Sequence, residues 1–377
     1  MNLHAQFAVY DPIVSVDRTQ PGIFRWRAGF PIETTTTPIS LGEGNTPVVH
    51  CEAFAELLGV DSVVIKDESR NPTSSYKDRL AAVAVTKAVE AGASTVVVAS
   101  TGNHGAAAAA YAARAGLECV VLAARTASAL MVEQIRGYGG RVIALPTIPD
   151  RWTVMKAAVE ELGWFPISGF QIPPVGSPPF GIEGYKSIAF ELHEQLTETP
   201  TAVVVPTAYG DGLTGIFRGF EELRGAGRIT DTPRMIAAEA LGPHAKAIVA
   251  GNVDRVPGIE RRPTLAFSAG TPVGTHQTLA TLRRSGGAAV GPISDDAVLE
   301  AQADLAREAG VYAETTSAMT LAAAARLGDG GALRETDRLV LMITSSGLKS
   351  TAETATVRAA VPEIEPKLDA LLVVLGG

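Results

Sequence analysis

Short runs of β-branched residues alternate with alanine-rich stretches along most of the chain. The segments 63–66, 96–99, 119–123, 141–145, 202–205, 235–238 and 339–343 are apolar with little polar alternation, the pattern of strands covered on both faces. Between them 80–91, 105–115, 295–309 and 317–327 have helical composition, and several end at glycines suited to the position just past a helix. This alternation predicts parallel strands joined by crossover helices, an α/β fold.

A proline-rich stretch over 166–179 interrupts the rhythm, as a connection between domains or a binding loop would. The chain of 377 residues has room for two domains of ordinary size. Four threonines at 34–37, ahead of Pro38, read as an extended lead into the next segment. The apolar end, 370–375, is too short to cross a bilayer and is expected to pack on the body of the protein.

Composition narrows the class. Apolar residues make up 46% of the chain against 19% charged, enough to build an interior, and no run is long enough to span a membrane. The net charge of −8 has the wrong sign for a nucleic-acid or anionic-membrane binder and points to small molecules as partners. Cys51 and Cys119 lack C-x-x-C spacing, so they read as two reduced thiols, with no disulfide framework and no metal site. Residues 1–10 lack the layout of a secretory signal, so a cytoplasmic location is expected.

Four segments have the composition of binding loops. Ser74-Ser75-Tyr76-Lys77-Asp78-Arg79 follows the turn Asn71-Pro72 and feeds a helix, so Ser74 or Ser75 is placed to cap it with Lys77 in the first turn. The helix dipole disfavours a cation there, a setting that suits a lysine acting as a nucleophile, although a solvated surface lysine fits the local sequence too. Ser100-Thr101-Gly102-Asn103-His104-Gly105 joins a strand to an alanine-rich helix, where backbone N–H groups and hydroxyls are suited to a carboxylate or phosphate. His104 reads either as a general base or as a packing residue.

The third segment, Gly210-Asp211-Gly212-Leu213-Thr214-Gly215, matches the dinucleotide pattern G-x-G-x-x-G, and Glu239 ends the next strand where a ribose-binding acid would stand. A nicotinamide oxidoreductase is therefore a rival reading, although such a cradle holds any phosphate. The fourth, Thr344-Ser345-Ser346-Gly347, brings hydroxyls to the carboxyl end of a strand, where open α/β sheets bind ligands. A G-x-S-x-G elbow, an H-E-x-x-H helix and a Walker A lysine are all missing, which removes the main support for hydrolase, zinc protease and P-loop readings.

Together these segments resemble threonine synthase and its relatives among the fold-type II, tryptophan synthase beta-like, pyridoxal-phosphate enzymes, a group that includes serine and threonine dehydratases. The resemblance is collinear over roughly 26–358. It runs from Leu41-Gly42-Glu43-Gly44-Asn45-Thr46-Pro47 through Lys66-Asp67-Glu68, Asn71-Pro72-Thr73 and Ser75 to Arg79, then Ser100 to Asn103. It continues with Glu183-Gly184-Tyr185-Lys186-Ser187, the glycine loop, Glu314 with Ser317-Ala318, and Thr344 to Lys349. The nicotinamide reading explains one of the four binding segments, the pyridoxal reading all of them in order.

The resemblance implies two open α/β domains, each a mainly parallel twisted sheet flanked by helices. The larger, cofactor-binding domain takes 20–80 and 165–365; the smaller, mobile one takes 81–164 and carries the loop from Ser100 to His104. It implies that Lys77 forms the Schiff base with pyridoxal 5'-phosphate and that Asn103 bonds the cofactor's phenolic oxygen. Thr207, Gly210, Asp211, Gly212, Leu213 and Thr214 would hold the phosphate, and Thr344 would face the ring nitrogen. A hydroxyl at that nitrogen makes a moderate electron sink, which favours elimination over transamination. Ser100, Thr101, Gly102, Asn103 and His104 would hold the substrate carboxylate, and relatives of this type commonly pair as homodimers.

The chain departs from threonine synthase where that enzyme grips its substrate's phosphate. The Asn-Ser-x-Asn-Pro-x-Arg run is missing: Val175-Gly176-Ser177-Pro178-Pro179-Phe180-Gly181 stands in its place, with Gly181 at the arginine position. Such a site loses the charge-assisted bonds a phosphate needs. Gly102-Asn103-His104-Gly105 looks more like the loop of the dehydratases, and Asp211 sets a carboxylate beside an expected phosphate. The expected activity is a pyridoxal-phosphate lyase that eliminates a β or γ substituent from a small L-amino acid other than O-phosphohomoserine. The alternatives are genuine threonine synthase, with phosphate held by Arg151, Lys186 or Ser177; a serine/threonine or diaminopropionate ammonia-lyase; and, in another class, a non-catalytic cofactor-binding protein.

Overall fold

The apolar runs become strands, and their burial follows from their place in two sheets. The computed structural model describes residues 11–375 apart from 101, 173–174, 253, 352–353 and 355–360. The strands are β1 (Val48–His50), β2 (Ser62–Asp67), β3 (Thr95–Val98), β4 (Glu118–Ala124), β5 (Arg141–Leu145), β6 (Phe165–Pro166), β7 (Ala202–Pro206), β8 (Arg234–Ala238), β9 (Ala288–Val290) and β10 (Arg338–Ile343). The first helices are α1 (Glu52–Leu58), α2 (Lys77–Glu90), α3 (Asn103–Ala115), α4 (Ala129–Gly137), α5 (Ile148–Leu162) and α6 (Pro179–Ile182). They are followed by α7 (Lys186–Gln195), α8 (Asp211–Gly225), α9 (Pro243–Val249), α10 (His276–Arg284), α11 (Asp295–Ala309) and α12 (Thr315–Asp329).

Six strands pair in the order β1-β2-β10-β7-β8-β9, parallel apart from the antiparallel β1, and four pair in the order β5-β4-β3-β6, all parallel. The last strand in sequence, β10, inserts between β2 and β7. The carboxyl ends of three strands, each followed by a candidate loop, thus lie side by side. β3 and β7 are buried at every position, as expected for strands covered on both faces. β5 differs: it is the edge of the smaller sheet and leaves Arg141, Ile143 and Ala144 exposed, so its apolar run does not mark a covered strand.

One apolar cluster joins the alanine faces of α2 and α3 to α7, α8 and the strands beside them; a second fills the other face of the larger sheet under α1, α11 and α12. Small side chains let these helices lie close to one another and to the sheets. The helices begin a little before the alternation suggests. α2 starts at Lys77, the first-turn position expected for it, and α3 at Asn103, which therefore stands on a helix N-terminus rather than in a loop. β1, β6 and β9 are too short for a periodic signal.

The apolar end does not pack as expected. Helix Leu368–Leu375 has no buried residue, so its leucines and valines support a helix locally without filling an interior. Both cysteines are free and buried, and burial pushes the Cys119 thiol up to about 12. Among the described residues no helix is long and apolar enough to cross a membrane.

Candidate active site

Lys77 is aimed by a backbone zipper to the end of β10. The Tyr76 N–H donates to the Thr344 carbonyl at 2.9 Å, the Ser346 N–H to the Ser74 carbonyl at 3.2 Å, and the Ser345 hydroxyl to that same carbonyl at 3.1 Å. Ser74 turns the chain at φ 60°, a left-handed conformation that costs about 1 kcal/mol and is held by these bonds. The Lys77 N–H then donates to Ser75 Oγ at 3.3 Å, but the cap position itself is Tyr76, without a side-chain cap, so neither Ser74 nor Ser75 is the N-cap expected. Lys77 is half-buried, its Nζ 4.9 Å from the Tyr76 ring centroid and 5.6 Å from that of Tyr185.

Below Lys77 a closed ion network anchors the helix start. Arg79 donates to both oxygens of Glu68 at 2.7 Å, and to Glu191 at 2.8 and 2.7 Å. Lys66 also meets Glu191 at 2.8 Å, so two cations balance two carboxylates in a fully buried cluster. Arg79 and Lys66 hold the Glu191 carboxyl well below its usual range despite burial. Such a network fixes geometry more than it adds stability, but removing one member leaves an unpaired buried charge.

The glycine loop after β7 forms an anion cradle. Gly210 has φ 80°, and a Cβ there would lie 1.8 Å from Thr278 Oγ1; a Cβ on Gly212 would lie 2.6 Å from Cε2 of Tyr76. Only glycine lets the backbone come this close. No side chain caps the N-terminus of α8, which leaves its first N–H groups and the positive dipole end for a ligand. A cofactor phosphate fits this cradle, and the Tyr76 ring contacts both the cradle and the Lys77 amine.

The side chains of the loop are spoken for elsewhere. Asp211 accepts from Gln277 Nε2 at 2.7 Å and the Ser177 N–H at 3.1 Å, which turns its carboxylate toward α10 and the proline-rich loop. The Thr214 hydroxyl pairs with Thr281 at 3.0 Å and that of Thr207 donates to the Val205 carbonyl at 2.9 Å. The Thr207 and Thr214 hydroxyls are thus paired within the protein, while Gly210, Asp211, Gly212 and Leu213 offer backbone N–H groups at the start of α8. Glu239 is not a free ribose acid. Its carboxylate accepts from His244 N at 3.2 Å, His244 Nδ1 at 2.6 Å and Ala245 N at 2.9 Å, and His244 Nε2 accepts the Thr275 N–H at 2.9 Å. This chain of bonds braces the start of α10 against the cradle, and the nicotinamide reading loses its acidic residue.

Thr344, just beyond β10, pairs its hydroxyl with Ser317 Oγ at 3.0 Å. From the other sheet, Gly102 caps α3, Ser100 lies half-buried before it, and Thr101 lies outside the described residues. His104 is buried and neutral: burial, reinforced by the charge of Lys77, pushes its imidazole down to about 3, and a backbone hydrogen bond to Ile167 opposes this only in part. Its Nε2 has no partner among the described residues. Asn103 reaches across to the larger sheet, bonding Glu314, Lys349 and Ser345. Glu314 and Lys349 carry no local signal of a role in the sequence, and their burial beside Asn103 is a tertiary fact.

The residues named for a substrate phosphate are differently placed. Gly181 lies in α6 against α2, where a Cβ would sit 2.9 Å from Leu80 Cγ and 3.3 Å from Ala84 Cβ. Lys186 is buried with Glu183 and Glu222 at 2.8 and 2.7 Å. Arg151 donates to the Ile148 carbonyl and, among the described residues, has no carboxylate partner.

Comparison with known proteins decides the family. The family described as pyridoxal-phosphate dependent enzyme matches residues 39–345. The chain belongs to this family. Its fold is that of fold-type II, and its cofactor is pyridoxal phosphate. The chain is similar to threonine synthase of Methanocaldococcus jannaschii, 33% identical over 92% of this chain and 85% of the relative. Threonine synthase of Methanosarcina acetivorans is 32% identical over 93% and 86%. Among solved structures, maize serine racemase superposes with TM-score 0.71 at 24% identity, covering 83% of this chain and 92% of the other. Diaminopropionate ammonia lyase from Escherichia coli gives 0.69 at 18%, covering 84% and 87%. At these identities the structural matches speak for the fold alone.

Proposed function

We propose that the chain is a lyase that eliminates a β or γ substituent from a small L-amino acid other than O-phosphohomoserine. Bound pyridoxal phosphate supplies an electron sink beside the substrate's α-carbon, which acidifies the α-hydrogen and loosens the bond to the neighbouring substituent. Lys77 would be the attachment point, and its amine would accept the α-proton. The N–H groups that open α8 would hold the cofactor phosphate, and Asn103 would donate to its phenolic oxygen. Thr344 offers the ring nitrogen a hydroxyl, and Ser100, Thr101, Gly102 and the start of α3 hold the substrate carboxylate. The proposal includes a homodimer, and the division into 20–80 plus 165–365 and a mobile 81–164.

The observation that carries this substrate reading is the packing of Gly181 against Leu80, which leaves no room for the arginine that a phosphate-bearing substrate would meet there. The Asp211 carboxylate accepts the neighbouring Ser177 N–H, which leaves that donor already engaged. The test supplies the holoenzyme with L-serine, L-threonine and O-phospho-L-homoserine in parallel and measures 2-oxo acid, ammonia and phosphate. Formation of 2-oxo acid and ammonia from the hydroxy amino acids supports the proposal.

One observation favours a second reading, threonine synthase. Burial lowers the affinity of Arg151 for its proton, an effect the Tyr209 side chain opposes and the Arg261 guanidinium reinforces. Arg151 and Arg261 both act electrostatically on Tyr209, the residue before Gly210 of the cradle, and would suit an anionic substrate tail. Phosphate release from O-phospho-L-homoserine, lost in Arg151→Gln, would establish it.

A further inference from the structure

The amide of Asn103 is clamped between a buried cation and a buried anion. Its Oδ1 accepts from Lys349 Nζ at 2.9 Å and from Ser345 Oγ at 3.3 Å; its Nδ2 donates to Glu314 Oε2 at 2.7 Å. The other oxygen of Glu314 accepts from Ser268 Oγ at 2.7 Å, and Lys349 and Glu314 are only 5% and 1% exposed. The reverse orientation of the amide would set its oxygen against a carboxylate and its NH2 against an ammonium, replacing two charge-assisted bonds with two repulsions. Lys349 and Glu314 together therefore dictate which end of the amide is which. An amide nitrogen carries two hydrogens; Glu314 takes one, and the second has no acceptor among the described residues.

Resting on the reading of Lys77 and Asn103 as the cofactor site, we infer that Lys349 is a positioning residue: its ammonium, held opposite the Glu314 carboxylate, keeps Asn103 presenting N–H to the cofactor's phenolic oxygen. The clamp also ties the start of α3, behind β3 of the smaller sheet, to the segment beyond β10 and to the start of α12. The Lys349 charge thus sets how firmly the Ser100–His104 loop is held. Burial pushes the Lys349 amine down to about 8, while the charged groups facing it, Glu314 and Asp78, pull the other way. Above that pH the amine loses its charge, the preference for one amide orientation weakens, and the cofactor's environment changes.

Two readouts test this without relying on turnover. In cofactor-free protein, Lys349→Met should speed hydrogen exchange of the amides at 102–106 by about tenfold, the loss of one charge-assisted bond, while Lys349→Arg restores protection. In the loaded protein, the visible absorption should titrate near pH 8 in the wild type, as the Lys349 amine does. That titration should vanish in Lys349→Met. If Lys349→Met does not fold, Glu314→Gln supplies the answer: it removes a group that favours the ammonium, so the midpoint must move to lower pH. A folded Lys349→Met with wild-type exchange and titration, or a Glu314→Gln with an unmoved midpoint, overturns the inference. A visible band that Lys77→Ala leaves unchanged would instead overturn the cofactor site beneath it, so the two failures are distinguishable.

Discussion

A side chain added at Gly181 would run into Leu80: the Cβ position lies 2.9 Å from Leu80 Cγ. The loop that would receive a substrate phosphate is here packed on the helix that carries Lys77. Gly181→Arg should therefore destabilise the protein by about 1–3 kcal/mol, as overpacking does, without creating a phosphate site. Urea unfolding and phosphate-release assays check both parts. Unchanged stability together with new phosphate release would show that the pocket is open.

Gly210 is the tightest point of the cofactor cradle. Gly210→Ala must relieve a left-handed φ of 80° and a 1.8 Å clash with Thr278. We expect at least about 1 kcal/mol of lost stability, and about tenfold weaker cofactor binding as the backbone retreats. Titration of the cofactor-free variant with pyridoxal phosphate measures the second effect.

Arg79→Met leaves Glu68 and Glu191 facing one another with only Lys66 to balance them. Breaking a buried network in this way should cost about 3–5 kcal/mol. Replacing the whole cluster by apolar residues of similar volume should cost far less. Equilibrium unfolding of the two variants compares them; a small loss in Arg79→Met would mean that the cluster is hydrated.

Two buried groups near Lys77 give opposing pH dependences. Burial raises Asp78 from its usual 3.8 to about 7, so its folded form holds a proton that the unfolded chain releases, and its stabilisation fades as pH rises through that window. His104 is lowered from 6.5 to about 3, so the unfolded chain takes the proton and stability fades as pH falls through that window. Each slope approaches about 1.4 kcal/mol per pH unit, and between roughly pH 4 and 6.5 they oppose. Relative to wild type, Asp78→Asn should lose stability more steeply on acidification, and His104→Asn should lose it more steeply toward neutral pH. Parallel curves would remove the burial argument for that group.

The parts of the site that the sequence reveals are those with local signals. Lys77, the glycine loop and the Ser100–His104 segment each lie where a strand or turn meets a helix, and the alternation of elements is enough to place them. The partners of their side chains are another matter. Nothing local tells that Asp211 turns to Gln277, that Glu239 braces His244, or that Lys349 reaches Asn103 across 246 positions. The Lys349 contact exists because β10 inserts between β2 and β7, which brings the segment after it beside the start of α2. The edge position of β5 and the uncovered Leu368–Leu375 helix likewise depend on neighbours, which apolarity alone does not specify.

One product assay tests the lyase proposal. The loaded enzyme, with Lys77→Ala as its control, is given L-serine, L-threonine and O-phospho-L-homoserine, and 2-oxo acid, ammonia and phosphate are followed together. A lyase of this kind gives 2-oxo acid and ammonia from a hydroxy amino acid, no phosphate, and no product from Lys77→Ala. Phosphate and threonine from O-phospho-L-homoserine, with no 2-oxo acid from the others, would contradict it.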